Sequence, residues 1–174
     1  MKKKITGRSA LTRLTIAAVF MALTIVLCSF SIPVPGGHLY LCDVAICTAA
    51  LLLDPVLALI VGGVGAFLGD LIFYPLPMFV SLATHGLQAL AISLVARYLF
   101  RKKPRLSALL GLLLGSVILV VGYSLGRAFV YATPAVAWVK LPYEILQAVV
   151  GSALAMLICW KTPVPKIYRR MIGE

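Results

Sequence analysis

Side chains that could bind a small molecule recur at helical spacing in the second half of a chain that is mostly apolar. They form three sets, within residues 81–88, 116–131 and 140–147, and each set falls on roughly one side of a helix. The sets are Ser81, Thr84, His85 and Gln88; Ser116, Tyr123, Arg127 and Tyr131; and Lys140, Tyr143, Glu144 and Gln147. Amides hydrogen-bond a polar ligand, and tyrosine rings add a stacking surface with a polar tip. The pattern predicts a cavity for a small polar molecule, although the same groups, with an Arg127–Glu144 ion pair, could instead only hold a bundle together.

The elements that must position these side chains are helices in a membrane. Of 174 residues, 62% are hydrophobic and 12% are charged, whereas soluble proteins are nearer half apolar and a quarter charged. A helix needs about 20 residues to cross about 30 Å of hydrocarbon. The apolar runs are 11–31, 41–53, 55–73, 77–99, 106–131 and 142–160. We therefore expect an all-α membrane protein of one domain, 1–174, with six transmembrane helices, of which the short second helix is tilted or extends back to Leu39 and Tyr40.

Lysine and arginine predict the orientation of these helices. The net charge is +11, and all but two of the 16 basic residues lie in three clusters between apolar runs. The clusters are Lys2, Lys3, Lys4, Arg8 and Arg13; Arg97, Arg101, Lys102, Lys103 and Arg105; and Lys161, Lys166, Arg169 and Arg170. With six helices the three clusters share one side, and the positive-inside rule makes that side cytoplasmic, with both termini. The basic residues therefore need no nucleic-acid partner, because topology and lipid headgroups account for them.

Acidic residues and prolines mark the ends of the second and third helices. Asp43 and Asp70 are expected near the outer ends of these helices, on the side toward which most of the polar sets lie. Asp54 precedes Pro55 and is expected to cap the N-terminus of the third helix. Residues 32–37, IPVPGG, cannot be helical, because two prolines interrupt the hydrogen-bond ladder.

Enzyme and cofactor motifs are not found in the sequence. It contains no H-E-x-x-H, no G-x-S-x-G and no phosphate-binding G-x-x-x-x-G-K-S/T. The four cysteines show no C-x-x-C spacing and are interpreted as small apolar fillers rather than metal ligands. We expect no catalysis, no metal and no cofactor, and any ATP must be used by partner subunits.

Residues 36–75, GGHLYLCDVAICTAALLLDPVLALIVGGVGAFLGDLIFYP, resemble the substrate-binding S components of energy-coupling factor (ECF) transporters, most closely the riboflavin-transporter-like branch. The matching positions are Gly36, Gly37, Asp43, Ala49 to Leu53, Pro55, Gly62, Gly63, Gly65 and Asp70. The chain departs from the pattern at three positions: Cys42 stands where glycine is usual, Asp54 replaces a turn glycine, and His85 stands where lysine is common.

The resemblance implies a six-helix bundle with a vitamin site near the outer surface of a prokaryotic plasma membrane. Loop 1, residues 32–41, would close over that site, which makes His38 and Tyr40 further candidates for ligand contact. Asp43 would anchor the end of the loop at the second helix, where an acid meets the helix dipole favourably, or contact the ligand. The favoured ligand is a flat heterocycle of the hydroxymethylpyrimidine or pyridoxine kind, with riboflavin or another vitamin as an alternative.

The resemblance also implies partners. An Ala-x-x-x-Ala face on the first helix, here Ala18 and Ala22, would dock on a membrane scaffold (the T component), which two cytoplasmic ATPases drive. Two alanines four residues apart leave a flat patch for another helix. Two alternatives stay open: a free-standing proton-coupled transporter that uses Asp70, Glu144 and His85, and an intramembrane enzyme with His85 and Glu144 as acid and base.

Overall fold

The chain folds into a helical bundle with one β-hairpin. The computed structural model describes residues 7–100 and 102–173, so Lys2, Lys3, Lys4 and Arg101 of the basic clusters lie outside the described residues. The elements are α1 (Gly7–Ser29), β1 (Ser31–Val34), β2 (Gly37–Tyr40), α2 (Cys42–Leu52), α3 (Pro55–Phe73), α4 (Met78–Tyr98), α5 (Pro104–Gly126) with a π-helical turn (Arg127–Tyr131), α6 (Pro134–Lys161) and α7 (Val164–Ile172).

Within 7–100 and 102–173, five helices are long and apolar enough to cross a membrane: α1, α3, α4, α5 with its π-helical turn, and α6. The sixth predicted span, α2, has 11 residues and rises only about 16 Å, roughly half the hydrocarbon thickness. It does not borrow Leu39 and Tyr40, which pair in β2 with Ile32 and Ser31 instead. The hairpin directly precedes α2 and adjoins its N-terminal end. Non-helical backbone is tolerated at such a place when protein surrounds it.

The hairpin turns at a Pro-Gly pair. Val34 and Gly37 are paired, so Pro35 and Gly36 occupy the turn, and Gly36 has φ +80°. A type II turn requires a positive φ at its third position and favours proline at its second. The turn rests on α6: a Cβ added to Gly36 would lie 3.0 Å from the Lys140 Cβ. The sequence indicated correctly that 32–37 is not helical, but it did not predict the paired strands.

The core is built around α2. Nine of its 11 residues are buried, and it packs against α1, α3, α4 and α6. Because α2 carries small side chains such as Ala45, Ala49 and Ala50, the surrounding helices can approach it closely. The same mechanism operates at Gly151, where a Cβ would come within 2.5 Å of the Asp43 Cβ. Close packing of α6 on the start of α2 therefore requires glycine there.

Several helix limits differ from those predicted, and one helix was not predicted. The first helix ends at Ser29 rather than 31, because Ser31 begins β1. Helix α6 starts at Pro134 rather than 142: Thr133 caps it and Pro134 takes the first turn, where a missing N–H costs nothing. Pro142 then lies inside the helix. Finally, α7 was not predicted, and it packs on α1 through Tyr168 and Ile172, which join Ala17 in one buried cluster.

Candidate substrate-binding site

A cavity of about 90 Å³ lies between the hairpin, the C-terminal ends of α3 and α5, and the N-terminal half of α6. We call it the outer cavity. Its lining residues are Gly36, Gly37, His38, Tyr40, Asp70, Tyr74, Pro77, Tyr123, Arg127, Tyr131, Ala132, Val136, Glu144 and Gln147. Lining groups thus come from loop 1, from the end of α3 and the turn after it, and from the polar sets of α5 and α6, whereas none of these described lining residues belongs to the set within 81–88. The hairpin forms one wall.

Asp43 organises the floor beneath this cavity. Its side chain is 1% exposed, and its two oxygens accept hydrogen bonds from Gln88 Nε2 at 3.1 Å and Gln147 Nε2 at 2.6 Å. The Gln147 Oε1 atom in turn accepts from the Tyr40 backbone N–H at 3.0 Å. One carboxylate therefore joins α2, α4, α6 and the end of β2. This network positions Gln147, which lines the cavity, rather than presenting Asp43 itself to a ligand.

A second network links α3, α4 and α5. The Ser81 hydroxyl donates to an Asp70 carboxylate oxygen, and its oxygen lies 2.5 Å from the Tyr123 hydroxyl. The His85 ring stands edge-on to Tyr123 with centroids 5.4 Å apart, and its Nδ1 lies 2.8 Å from Gln88 Oε1. The buried side of α4 thus holds two cavity-lining groups, Asp70 and Tyr123, in fixed positions.

Three charged side chains meet on the α5–α6 side of the cavity. Arg127 Nη1 lies 2.7 Å from Glu144 Oε1, and Lys140 Nζ lies 3.8 Å from the same oxygen. The Arg127 guanidinium also stands over the Tyr131 ring, 5.6 Å from its centroid. All three charged residues are buried. Arg127 begins a π-helical turn, and turns of this kind are frequent at functional sites.

Several buried polar atoms around the cavity lack a hydrogen-bond partner among the described residues. They are His38 Nδ1, Tyr131 Oη, Lys140 Nζ and Arg127 Nη1, whose contact with Glu144 is close but not aligned as a hydrogen bond. Buried polar groups in native proteins are normally satisfied. Unsatisfied groups that converge on one cavity therefore indicate a place where a polar ligand or water binds.

The candidates predicted from the sequence divide into three groups. Those that line the cavity are His38, Tyr40, Asp70, Tyr123, Arg127, Tyr131, Glu144 and Gln147. Those that contact lining residues from behind are Asp43, Ser81, His85 and Lys140, and Gln88 lies one step further back, bonded to Asp43 and His85. Thr84 packs against Gly122, Ser116 bonds Ser152, and Tyr143 is half-buried outside the lining.

Sequence reasoning missed several lining residues. Tyr74 follows α3 and packs edge-on against His38, with centroids 5.5 Å apart; an aromatic residue beside the outer FYPLP turn was the available signal. Val136 was missed because the sixth helix was expected to begin at 142. Gly36 and Gly37 were assigned only to the loop.

Cys42, Asp43 and His85 also bring one ligand-type atom each within 4.8 Å of one another. Both Asp43 oxygens already accept hydrogen bonds from glutamines, and the His85 Nδ1 contacts Gln88. The cluster therefore fits a hydrogen-bonded network. The expectation that the chain binds no metal stays a prediction.

Comparison with known proteins identifies sequences and structures that are similar to this chain. The family model for the ECF-type riboflavin transporter S component matches residues 9–162. The chain is 34% identical over 160 residues to the thiamine precursor transporter HmpT of Lactococcus lactis subsp. cremoris, covering 89% of this chain and 90% of that one. It is 30% identical over 131 residues to an uncharacterized protein of Pyrococcus woesei, covering 75% and 86%.

Among solved structures, the S component of a bacterial ECF transporter superposes with a TM-score of 0.70 over 92% of this chain and 95% of that one. Its sequence identity is 21%, so this likeness concerns the fold alone. The match of the family model over most of the chain, together with a relative above 30% identity, identifies the family. The chain belongs to the ECF-type riboflavin transporter S component family.

Proposed function

We propose that this S component binds a thiamine precursor of the hydroxymethylpyrimidine type in the outer cavity and delivers it for ATP-driven uptake. As a member of its family, the chain is a multi-pass protein of a prokaryotic plasma membrane and serves transport. The named relative at 34% identity is a thiamine precursor transporter. That name supports a pyrimidine as ligand even though the family model carries the name of riboflavin.

The size of the outer cavity is the observation that carries the choice of ligand. Its volume of about 90 Å³ is far below the 300 Å³ or more of a pocket for a drug-sized ligand. A single substituted ring suits such a space with small adjustments of the hairpin, whereas the three fused rings and ribityl chain of riboflavin do not.

Charge and aromatic surface support the same ligand class. Two carboxylates, Asp70 and Glu144, face the cavity together with Arg127, and Lys140 stands beside it. The charges balance, so a neutral ring needs no further counter-ion. A carboxylate can accept from an exocyclic amino group, while the Tyr131 hydroxyl and His38 Nδ1 can bond ring nitrogens or a hydroxymethyl group. His38 and Tyr74 provide aromatic surface for stacking.

The partners that we propose are a membrane T component and two cytoplasmic ATPases, as membership of the family implies. Ala18 and Ala22 are both exposed on α1, which is the least buried of the five candidate spans. That exposure supports docking of another helix on this face. We further propose that the chain itself uses no cofactor and catalyses no reaction, and that the end bearing the basic clusters is cytoplasmic.

Calorimetric titration of the purified protein with hydroxymethylpyrimidine, pyridoxine and riboflavin tests the ligand. We expect the pyrimidine to bind at least tenfold more tightly than either other compound. Tighter binding of riboflavin would contradict the proposal and return the ligand to the one in the family's name. Uptake by cells that lack the ATPases is the second measurement, because persistent uptake driven by a proton gradient would favour the free-standing transporter.

A further inference from the structure

A second and larger cavity opens at the opposite end of the bundle. Its volume is about 560 Å³, and it lies between α1, the C-terminal ends of α2, α4 and α6, the start of α5, and α7. We call it the basic-end cavity. Its lining residues are Arg13, Leu51, Leu52, Ala96, Arg97, Pro104, Ala108, Cys159, Trp160, Pro165, Tyr168, Arg169 and Ile172. Among these described residues, three are arginines and none is acidic.

One of the arginines is fixed in place by the fold. Arg97 donates from Nη2 to the Leu52 carbonyl at 2.6 Å and from Nε to the Leu53 carbonyl at 3.1 Å. It thereby satisfies carbonyl groups at the C-terminal end of α2, which have no partner within the helix. This guanidinium is therefore held at the cavity wall before any ligand arrives, unlike a lysine that swings freely in solvent.

Helix α7 presents three different faces. Tyr168 and Ile172 are buried against α1, whereas Ile167 and Met171, four residues apart, are 51% and 55% exposed. Arg169 and Arg170 are also exposed, and Arg169 lines the cavity whereas Arg170 does not. An exposed apolar pair beside basic side chains is typical of a helix that lies in the plane of the membrane interface.

We propose that the basic-end cavity binds the phosphate headgroup of an anionic phospholipid, with α7 lying in the interface beside it. Arginine guanidinium groups match phosphate oxygens in geometry and charge. The occupant is a lipid rather than free phosphate, because Leu51, Leu52 and Ala108 give the same cavity apolar walls. In addition, Ile167 and Met171 offer an exposed apolar surface beside the basic side chains of α7.

Fluorescence of Trp160 tests the proposal, because this residue lines the cavity. The sequence has two tryptophans, and Trp138→Phe leaves Trp160 as the only one. The isolated protein in neutral detergent micelles is titrated with phosphatidylglycerol or phosphatidylcholine brominated on the acyl chains near the headgroup. We expect phosphatidylglycerol to quench at a mole fraction at least fivefold lower. Arg169→Gln should remove most of this preference, since one basic residue near an anionic lipid contributes about fivefold in affinity.

The matched control is Arg170→Gln, which removes the same charge from the same helix outside the cavity. It should retain the preference within about twofold of the parent, as expected for a charge more distant from the headgroup. Equal quenching by the two lipids in the parent, or equal loss in both variants, would overturn the proposal in favour of a protein partner or a general surface charge. Loss of the preference on adding millimolar inorganic phosphate, but not chloride of equal ionic strength, would assign the site to free phosphate instead.

Discussion

Asp43 and Asp54 lie at the two ends of one short buried stretch and have different tasks. Asp43 stands in the first turn of α2 and accepts hydrogen bonds from the side-chain amides of Gln88 and Gln147. Asp54 is the N-cap of α3 and accepts from the Leu57 backbone N–H at 3.1 Å. The first acid thus joins three helices around the site, whereas the second satisfies a single helix end.

Replacing each acid by asparagine separates these tasks. In Asp43→Asn, the asparagine NH₂ group replaces a carboxylate oxygen that accepts a hydrogen bond from a glutamine NH₂ group. Two donors then face each other, and one buried donor loses its acceptor, at a cost of about 1–3 kcal/mol. We expect a lower melting temperature and ligand binding weakened at least tenfold, because Gln147 loses its position. Asp54→Asn is the matched control, since asparagine caps helices as well as aspartate does. Equal effects in the two variants would show that Asp43 has no special link to the site.

The charged cluster of Arg127, Lys140 and Glu144 makes an asymmetric prediction. Glu144→Ala leaves two buried cations without their shared counter-ion, whereas Arg127→Ala leaves Glu144 with Lys140 at 3.8 Å. Breaking a buried pair typically costs about 3–5 kcal/mol. We expect both variants to weaken ligand binding, and Glu144→Ala to lower the free energy of unfolding more. Calorimetry and denaturant unfolding measure the two effects; binding within twofold of the unchanged protein in both variants would move the site elsewhere.

At the scale of elements, the sequence predicted best where local chemistry sets the ends. Asp54 and Pro55 place the start of α3 at Pro55, as predicted, and α4 agrees within one residue at each end. The sixth helix was predicted to begin at 142, eight residues late, because the bounds came from an apolar run, although a cap-and-proline pair, Thr133 and Pro134, precedes it. Helix α7 also had a local signal, since Val164, Ile167, Tyr168, Met171 and Ile172 repeat at helical spacing.

The hairpin could not be predicted in the same way. Its strands have four residues each, and an isolated two-stranded hairpin is marginal in water. Tertiary contacts with α6 stabilise the hairpin: its turn packs near Lys140, and Tyr40 donates its backbone N–H to Gln147. The Pro-Gly pair indicates a turn, but only the neighbouring helix decides that the flanking residues pair.

Gly36→Ala tests the contact between the hairpin turn and α6. The added Cβ would lie 3.0 Å from the Lys140 Cβ and 3.2 Å from the Val136 carbonyl oxygen. Crowding of this kind costs about 1–3 kcal/mol, beyond the strain of a positive φ. Gly173→Ala is the control, because Gly173 has φ +76° and nothing within 4 Å of an added Cβ.

We expect Gly36→Ala to speed ligand dissociation several-fold, since the hairpin forms one wall of the outer cavity and would seat less well. Gly173→Ala should leave dissociation unchanged and lower stability only slightly. Stopped-flow measurement of the dissociation rate distinguishes the two. The same dissociation rate in Gly36→Ala as in the unchanged protein would mean that the turn does not gate the site.

At the scale of the whole molecule, the two ends and one side of the bundle have separate chemistry. The outer cavity gathers the polar sets of α5 and α6 with Asp70 of α3 and the hairpin. The opposite end gathers Arg13, Arg97 and Arg169 in one cavity. The spacing of polar residues predicted the contributions of α5 and α6 to the outer cavity, whereas the set on α4 lies behind the lining. It could not predict which side chains line it and which support it, because that depends on the close approach of α6 to α2 at Gly151. Helix α1 contributes Arg13 to the basic-end cavity but no lining residue to the outer cavity, and it exposes one side.

The exposed side of α1 leads to a prediction about coupling between binding and uptake. Ala18 and Ala22 lie on one face with Thr15, and all three are exposed. Because the outer cavity draws no lining residue from α1, bulk on this face should leave the ligand site intact. We therefore expect Ala18→Trp and Ala22→Trp to abolish uptake in cells while binding by the purified protein stays within twofold.

The matched control for docking is Val117→Trp, which adds the same bulk at a position 58% exposed on α5, a helix that packs on α4 and α6 rather than on α1. A tryptophan that merely faces lipid at mid-helix is tolerated, so uptake by this variant should persist. If α1 only packed within the bundle, the two alanine variants would misfold and lose binding and uptake together. If all three variants transport normally, or all three fail alike, the Ala18–Ala22 face is not where a T component docks. Only selective loss of uptake on α1, with binding retained, fits a subunit that captures its ligand alone and needs a partner to release it inward.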